Sequence, residues 1–255
     1  MKKVFLVPVY NEEDNISQLL KSISKFAKDR SWDFCVYIVD DGSTDKTLEV
    51  ANRHKDFIPL NIFALEKNMG PGAAFKKGFK EILSGENENA LIITLEADST
   101  GDLDILETMT EKAEAGTFLV LASCYAKGGG VEGASFFRKA MSLAANVFIG
   151  FISKRSDIRT YSSFYRVYKY SAIDRLYKLY GEEFMEETGF ACATELFMKL
   201  ARLKGSIEEV PMKLNCKRRV GKSRMKIMPT VLAYLRIFYR SIRRGVVFWY
   251  VNKKR

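Results

Sequence analysis

Short runs of apolar residues alternate with amphipathic segments through the first half of this chain. The runs cover residues 3–8, 34–39, 60–65, 90–95 and 118–123. Apolar side chains recur at helical spacing after these runs, over residues 15–26, 45–54, 71–83 and 102–115. Runs that are apolar at nearly every position are typical of strands buried on both faces, as in a parallel sheet covered by helices. The alternation therefore predicts an α/β fold with a mostly parallel, Rossmann-like sheet and helices on both faces.

The second half of the chain is less regular. We predict loops over residues 128–133 and 217–224, the second of them basic. Helices are predicted over 136–152 and 190–203, and strands over 162–168 and 206–211. Apolar and cationic residues then interleave at helical spacing over 228–251, which predicts C-terminal amphipathic helices. The longest apolar run, residues 141–152, is shorter than the roughly 18–20 residues that a membrane-spanning helix needs, so we expect no transmembrane helix.

Acidic side chains follow the apolar runs at the points where strands should end. Asp40 and Asp41 follow the second run, and Glu96 and Asp98 follow the fourth, on either side of Ala97. Since ligands of open α/β sheets bind beyond the carboxyl ends of the strands, this edge is the predicted binding site. Two carboxylates one residue apart after a buried strand are costly unless they meet a cation or hydrogen-bond donors. A hard divalent ion bridging diphosphate oxygens would explain Glu96 and Asp98.

Simpler interpretations of these segments remain open at the level of the sequence. Residues 41–45 could form only a turn that caps a helix, because Asp, Ser and Thr are preferred at that position. Residues 68–72 could likewise form only a glycine-containing turn that starts a helix.

The net charge of +10 is unevenly distributed, since residues 210–255 contain Lys and Arg but no Asp or Glu. Such a basic segment needs a solvated face or an anionic partner, and phosphate, nucleic acid and an anionic membrane surface are the candidates. The 4 cysteines form no CxxC pair, which favours reduced thiols in a cytosolic protein. His54 is the only histidine, so a zinc site or a Ser-His-Asp triad has little to be built from.

Motifs in the first half combine these features in a fixed order. They are PVYNEEDNI (8–16), VDDGSTDKT (39–47), EKNMGPGAAFKKGF (66–79) and LEADST (95–100). In this order and at these spacings they resemble the family 2 glycosyltransferases, and the resemblance implies the glycosyltransferase A fold and a nucleotide-sugar donor. It implies nucleotide-sugar contacts from Pro8, Tyr10, Glu12, Asp40, Asp41, Lys67, Gly70, Ala97 and Asp98. It also implies Mg²⁺ or Mn²⁺ as the cofactor, with Glu96, Asp98 and Thr100 as ligands and Glu96 in the place of the usual Asp.

Motifs in the second half extend the resemblance. They are GGGVEG (128–133), Arg138, SLAANVFIG (142–150), SSFYRVYK (162–169), ATELFMKLARLKG (193–205), EEVP (208–211) and RRVGKSRM (218–225). Together they are similar to the polyprenyl-phosphate branch of the family, typified by dolichol-phosphate mannose synthase. This resemblance implies inverting transfer of a sugar from GDP-mannose or a UDP-sugar to a polyprenyl or dolichyl phosphate. It implies acceptor-phosphate contacts from Arg138, Ser163, Arg218, Lys222 and Ser223, with Asp98, Arg138 and Arg218 as catalytic residues.

A phosphate acceptor agrees with the chemistry that the chain can supply. A lipid phosphate is already anionic, so it can attack an oxocarbenium-like anomeric carbon without a strong general base. A metal ion and cationic side chains would stabilise the departing diphosphate.

The resemblance also divides the chain. We expect a catalytic domain over 1–225, with a nucleotide-sugar-binding half over 1–123 and an acceptor-binding half over 124–225. Residues 226–255 would form a basic amphipathic tail that lies on an anionic membrane surface, although packing against the catalytic domain is the alternative. The expected location is the cytoplasmic side, with peripheral attachment to the membrane.

The alternatives are a hydroxyl acceptor, a nucleotidyltransferase, a nucleic-acid binder and an inactive relative. Transfer to a glycan hydroxyl would need a base, and Glu186 or Glu187 could serve. A nucleotidyltransferase would want a basic, glycine-rich loop after the first strand, where this chain is acidic. A nucleic-acid binder would want a base-reading module, so no nucleic-acid partner is expected. Glu96 in place of the usual Asp, together with Cys124 and Phe164 in place of the branch's usual Arg and Gly, leaves open a degenerate, inactive relative.

Overall fold

The computed structural model describes residues 1–98, 100–153, 155, 157–216 and 227–252. The strands are β1 (Lys3–Val9), β2 (Phe34–Asp40), β3 (Leu60–Ala64), β4 (Leu91–Thr94), β5 (Leu119–Ser123), β6 (Gly130–Glu132), β7 (Arg166–Lys169), β8 (Ile207–Pro211) and β9 (Lys213–Asn215). The α-helices are α1 (Ile16–Asp29), α2 (Thr47–Asn52), α3 (Pro71–Ser84), α4 (Leu106–Glu114), α5 (Phe136–Ser153), α6 (Tyr170–Tyr180), α7 (Cys192–Arg202) and α8 (Ile227–Asn252). Short 3₁₀ turns cover Leu103–Ile105 and Gly181–Phe184.

A 7-stranded sheet in the order β3-β2-β1-β4-β7-β5-β8 forms the centre of the fold. Its β1/β2, β2/β3, β1/β4 and β5/β8 pairs are parallel, whereas β7 is antiparallel to β4 and β5. The prediction of an α/β fold with a mostly parallel sheet is therefore confirmed. The antiparallel insertion of β7 between β4 and β5 was not predicted.

Helices bury both faces of the sheet, as the continuous apolar runs indicated. In β1, Val4 and Leu6 join a core cluster with residues of α3, α6 and α7. The alternate residues Phe5 and Val7 join a second cluster with residues of α1 and α4. This alternation follows from the period of two along a strand, and it leaves the ends of the strands as the place where polar groups reach solvent.

Several elements are shorter than the sequence pattern predicted. The strand predicted over 162–168 begins only at Arg166, because residues 161–163 turn back so that their carbonyl groups reach the Arg166 guanidinium. The helix predicted over 45–54 begins at Thr47, whose amide donates to the Asp45 carboxylate at 2.9 Å. The helix predicted over 102–115 begins as a 3₁₀ turn.

The long helices α5 and α8 pack against each other beside the sheet. The rings of Phe148 and Phe238 lie 6.0 Å apart, and Ala233 and Ile237 of α8 are buried in the same cluster as the sheet residues of β1. Among the described residues, no helix combines the length and the apolar character needed to cross a bilayer. The division of the chain at residue 225 remains a prediction.

Candidate functional site

The loops after β1 and β2 are joined by hydrogen bonds at the carboxyl edge of the sheet. The Asn11 amide donates to Ser43 Oγ at 2.8 Å, and the Thr44 amide donates to Asn11 Oδ1 at 2.8 Å. The Glu12 amide donates to Thr47 Oγ1 at 2.7 Å. Asn11 adopts a φ of 51°, a left-handed conformation that asparagine tolerates better than most residues. The hydroxyl groups after β2 therefore brace the neighbouring loop rather than only capping α2.

Asp40 ends β2 and Asp41 follows it, and both are nearly inaccessible to solvent, with 1% and 3% of their surface exposed. The Asp40 carboxylate accepts the amide of Ser43 at 3.0 Å and also its hydroxyl. The Asp41 carboxylate accepts the amides of Met69 and Gly70, each at 2.8 Å. Asp41 thus ties the end of β2 to the segment that precedes α3.

The electrostatic state of Asp41 follows from these surroundings. Burial raises the pKa of Asp41 above its ordinary value, the two amides of Met69 and Gly70 lower it, and the neighbouring charge of Asp40 raises it further. The net direction is upward. A carboxylate held by two amides at a strand end can accept a donor group from a ligand, but it takes up a proton more readily than an exposed aspartate does.

Residues 70–72, which we call the glycine turn, approach another backbone segment too closely for side chains. Gly70 has a φ of 98°, and a Cβ there would lie 2.5 Å from the Thr188 carbonyl oxygen. A Cβ on Gly72 would lie 2.1 Å from the Glu187 carbonyl oxygen, and the Gly72 amide donates to the Thr188 carbonyl at 2.6 Å. Glycine is required at both positions. The segment around Thr188 therefore supports the turn that presents the Gly70 amide to Asp41.

The acidic pair lies just after β4, next to β1 in the sheet. Asp98 and Thr100 are buried and Glu96 is half-buried. Asp98 Oδ1 accepts both the amide of Thr100, at 3.1 Å, and its hydroxyl, at 2.7 Å. These bonds hold one Asp98 oxygen in place beside Thr100. The assignment of Glu96, Asp98 and Thr100 as metal ligands stays a prediction.

Glu96 and Asp98 could hold a divalent ion if oxygen atoms of a bound substrate completed its coordination. Within the described part of the chain, no group of three or more His, Cys, Asp or Glu side chains is placed to hold an ion by itself. Mg²⁺ is commonly held by one or two carboxylates together with substrate phosphates. Glu96 and Asp98 match that arrangement, with the hydroxyl oxygen of Thr100 beside them.

The remaining donor residues named from the sequence lie around the same edge. Pro8 is within β1, Tyr10 and Glu12 follow it, and all three are half-buried. Lys67 is exposed in the segment between β3 and α3, and Ala97 is buried between the two carboxylates. The structure therefore places Pro8 near the end of β1 and the other donor residues on the loops that follow β1, β3 and β4.

The acceptor residues named from the sequence are placed only in part. Ser163 is half-buried in the loop before β7, where its hydroxyl accepts the amide of Tyr165 at 3.2 Å. Arg138 lies in α5, but its side chain is outside the described part of the chain. Arg218, Lys222 and Ser223 also lie outside the described residues. An acceptor site formed by these residues stays a prediction.

Sequence reasoning missed the role of Arg166, which is fully buried at the start of β7. Its guanidinium donates to the carbonyl oxygens of Ser163 (2.6 Å), Tyr161 (2.7 Å) and Ala193 (2.8 Å). No carboxylate within the described residues pairs with it. An arginine inside an apolar run was the signal that could have identified it, since such a side chain must be hydrogen-bonded when buried. It shapes the loop that carries Ser163.

Comparisons with known proteins agree with this geometry. The profile of the family described as "Glycosyl transferase family 2" matches residues 4–177. The chain is 28% identical over 245 residues to the dolichol-phosphate mannosyltransferase of Pyrococcus furiosus, which covers 95% of this chain and 64% of that protein. It is 30% identical over 174 residues to the undecaprenyl-phosphate 4-deoxy-4-formamido-L-arabinose transferase of Proteus mirabilis, covering 67% of this chain and 50% of that one. The chain thus spans only part of the length of these relatives.

Solved structures show the same fold at low sequence identity. Glucosyl-3-phosphoglycerate synthase from Mycobacterium tuberculosis, in complex with Mn²⁺, uridine diphosphate and phosphoglyceric acid, superposes with a TM-score of 0.66 at 16% identity. That alignment covers 93% of this chain and 78% of the other. S. aureus TarS 1-349 superposes with a TM-score of 0.57 at 21% identity, covering 82% and 58% of the two chains.

Proposed function

This chain belongs to glycosyl transferase family 2, and from that premise we propose that it transfers a sugar from a nucleotide-sugar to a polyprenyl phosphate, with inversion at the anomeric carbon. One observation carries the donor half of the proposal. Asp40 and Asp41 lie at the end of β2, and Glu96 and Asp98 follow β4; these two strands flank β1 and run parallel to it, so one ligand lying across the end of β1 can meet all four.

The donor is proposed to be GDP-mannose or a UDP-sugar. The braced loops after β1 and β2 would hold the nucleoside, with Asp40 and Asp41 as acceptors for its donor groups. Glu96 and Asp98 would hold Mg²⁺ or Mn²⁺ against the diphosphate. When bound, the metal ion would neutralise charge on the departing nucleoside diphosphate.

The acceptor is proposed to be a lipid phosphate, because two of the relatives are a dolichol-phosphate mannosyltransferase and an undecaprenyl-phosphate sugar transferase. The contacts of both candidate bases also favour a phosphate over a hydroxyl acceptor: Glu186 accepts the Lys199 ammonium at 3.2 Å, and Glu187 is bound by two arginines. Both of its carboxylate oxygens receive guanidinium N–H groups from Arg236 and Arg240, so the carboxylate is engaged in ion pairs. A phosphate nucleophile needs no such base, and direct displacement of the diphosphate inverts the anomeric centre.

A membrane surface is the proposed place of the reaction. Helices α5 and α8 carry a set of exposed apolar side chains: Leu143, Val147, Phe148, Phe151, Met228, Leu232, Leu235, Tyr239 and Ile242. Phe151 is 86% exposed, which is costly in water for so large a ring. Together with the net positive charge of this end of the chain, this composition suits a helix lying in an anionic interface. Flotation with phosphatidylglycerol vesicles tests the proposal, and absence of binding to them would count against it.

The donor proposal is tested by thermal shift with GDP- and UDP-sugars in the presence of Mn²⁺ or Mg²⁺. A ligand that binds the folded state raises its stability by mass action, so one nucleotide class should raise the melting temperature. Glu96→Ala and Asp98→Ala should each abolish the metal-dependent part of that rise. The control is Glu88→Ala, an exposed carboxylate near the opposite end of β4. If both site variants keep the metal-dependent rise in melting temperature, the assignment of Glu96 and Asp98 as metal ligands is wrong.

The acceptor proposal is tested by transfer assays that offer polyprenyl phosphate and soluble glycans side by side. Product formed only on the lipid phosphate supports the proposal, whereas product formed only on a glycan hydroxyl supports the alternative acceptor. An NMR assignment that shows retained anomeric configuration would refute the inverting mechanism.

A further inference from the structure

A path of charge-assisted contacts begins where α8 meets the segment before α7. The Glu187 side chain is buried, with 5% of the residue exposed. Arg236 donates to its two carboxylate oxygens at 2.7 and 3.2 Å, and Arg240 donates to one of them at 2.9 Å. These two arginines lie one helical turn apart on the same face of α8, so both bind the one buried Glu187 carboxylate.

A second buried ion pair fixes the backbone on which Glu187 sits. Glu195 Oε2 accepts the amides of Glu186 and Glu187 at 2.9 and 2.8 Å, while its Oε1 accepts the Lys199 ammonium at 2.6 Å. Glu195 and Lys199 are only 3% and 5% exposed. Buried charges persist only when they are paired and hydrogen-bonded, so this pair anchors the backbone amides of residues 186 and 187 to α7 while α8 holds the Glu187 side chain.

The other side of the same backbone supports the donor site. The Glu187 and Thr188 carbonyl groups are in direct contact with the glycine turn, and Thr188 accepts the Gly72 amide at 2.6 Å. Within that turn, the Gly70 amide donates to Asp41 at 2.8 Å. Because no side chain separates the two backbones, a displacement of residues 187 and 188 must displace the turn.

We propose that Glu187 and Glu195 are positioning residues through which docking of α8 holds the glycine turn in the geometry that serves the donor. Removal of the two arginines takes away the donors that hold the Glu187 carboxylate against α8 and opens it to water, so the carboxylate moves outward with the segment that carries it. The turn then loses the support of Thr188, and the Gly70 amide leaves Asp41. The consequence for the donor rests on the proposed function, whereas the coupling between α8 and the turn does not.

Hydrogen–deuterium exchange of the full chain tests the coupling without any ligand. In Arg236→Ala/Arg240→Ala, peptides covering residues 66–75 should exchange on the order of tenfold faster than in the unmodified chain. The single Arg240→Ala variant gives a smaller increase and serves if the double variant folds poorly. Arg243→Ala, which removes an exposed arginine from the same helix, should leave these peptides unchanged. Unchanged exchange over 66–75 in the double variant would overturn the proposal, whether or not the α8 peptides exchange faster.

Nucleotide affinity gives a second readout, which would not change if a variant only loosened α8. Titration of UDP and of GDP with Mn²⁺ should show a several-fold weaker affinity in Arg240→Ala than in Arg243→Ala. Arg240→Lys, which keeps the charge but not the planar fork, should restore part of the loss. If the unmodified chain binds neither nucleotide while the exchange result holds, the proposed donor is wrong and the coupling stands. Equal affinity in the two alanine variants would refute the effect on the donor site.

Discussion

Replacement of Gly70 by alanine should destabilise the fold and weaken nucleotide binding together. Gly70 has φ 98° and ψ 158°, a region open essentially to glycine alone, and occupying it with alanine costs about 1–3 kcal/mol. The new Cβ would also lie 2.5 Å from the Thr188 carbonyl oxygen, an overlap with backbone that costs about 1–3 kcal/mol more. The expected loss is therefore about 2–6 kcal/mol, or a fall of roughly 4–24 °C in melting temperature for a chain of this size. Urea unfolding measures the free energy of unfolding, and titration of UDP with Mn²⁺ measures the site.

Gly116→Ala is the matched control for this variant. Gly116 also has a positive φ, 124°, but nothing lies within 4 Å of a Cβ built there. It should show the backbone cost alone, about 1–3 kcal/mol, with unchanged nucleotide affinity. If the two variants unfold at the same urea concentration, the close approach of Thr188 is not what requires glycine at position 70. If Gly70→Ala binds nucleotide normally, the link from the turn to Asp41 is refuted.

Three further variants or conditions follow from the contacts of single side chains. The raised pKa of Asp41 means that its contribution to stability is present below its ordinary value of 3.8 and is lost as the pH rises through the raised pKa. Affinity for UDP with Mn²⁺, measured by calorimetry, should fall as the pH is lowered through that raised pKa, because the carboxylate that would accept donor groups of the ligand is then protonated. A fall in affinity only below pH 3.8 would contradict this. Arg166→Met should lower the free energy of unfolding by about 3 kcal/mol or more, because it leaves buried carbonyl groups without donors. Urea unfolding measures this loss, and a loss below about 1 kcal/mol would show that the guanidinium is dispensable. Desolvation of the half-buried Cys124 raises the pKa of its thiol to about 11. Alkylation by iodoacetamide at about pH 8, followed by mass spectrometry, should therefore be far slower than for a free thiol, and labelling at the rate of free cysteine would refute the raised pKa.

The strands and the acidic edge could be predicted because their signals are local. A continuous apolar run followed by Asp40 and Asp41 is legible within a few residues, and so is the Glu96–Asp98 pair after β4. The glycine turn could be predicted for the same reason, because its sequence is typical of the start of a helix. These segments fold as their neighbours in sequence dictate, so the pattern sufficed.

The contacts that join distant segments could not be predicted in the same way. The place of β7 between β4 and β5 depends on pairings with strands that are remote in sequence. Thr188 supports the glycine turn from more than a hundred residues away, and no periodicity records that approach. The ion pair of Glu195 with Lys199 has the spacing of neighbours on one helix, which ordinarily indicates an exposed face. Only the structure shows that both are buried.

Glu187 distinguishes two chemistries that this fold could serve. A hydroxyl acceptor needs a base, and removal of a general base typically costs about 10²- to 10⁴-fold in rate. A phosphate acceptor needs none, and Glu187 is then free to hold Arg236 and Arg240. Glu187→Gln keeps the size of the side chain but removes its capacity to accept a proton. We expect this variant to weaken donor binding while kcat changes less than tenfold and the pH profile keeps its shape. A loss of kcat beyond a hundredfold, with the acidic limb of the profile gone, would instead make Glu187 the base and the acceptor a hydroxyl.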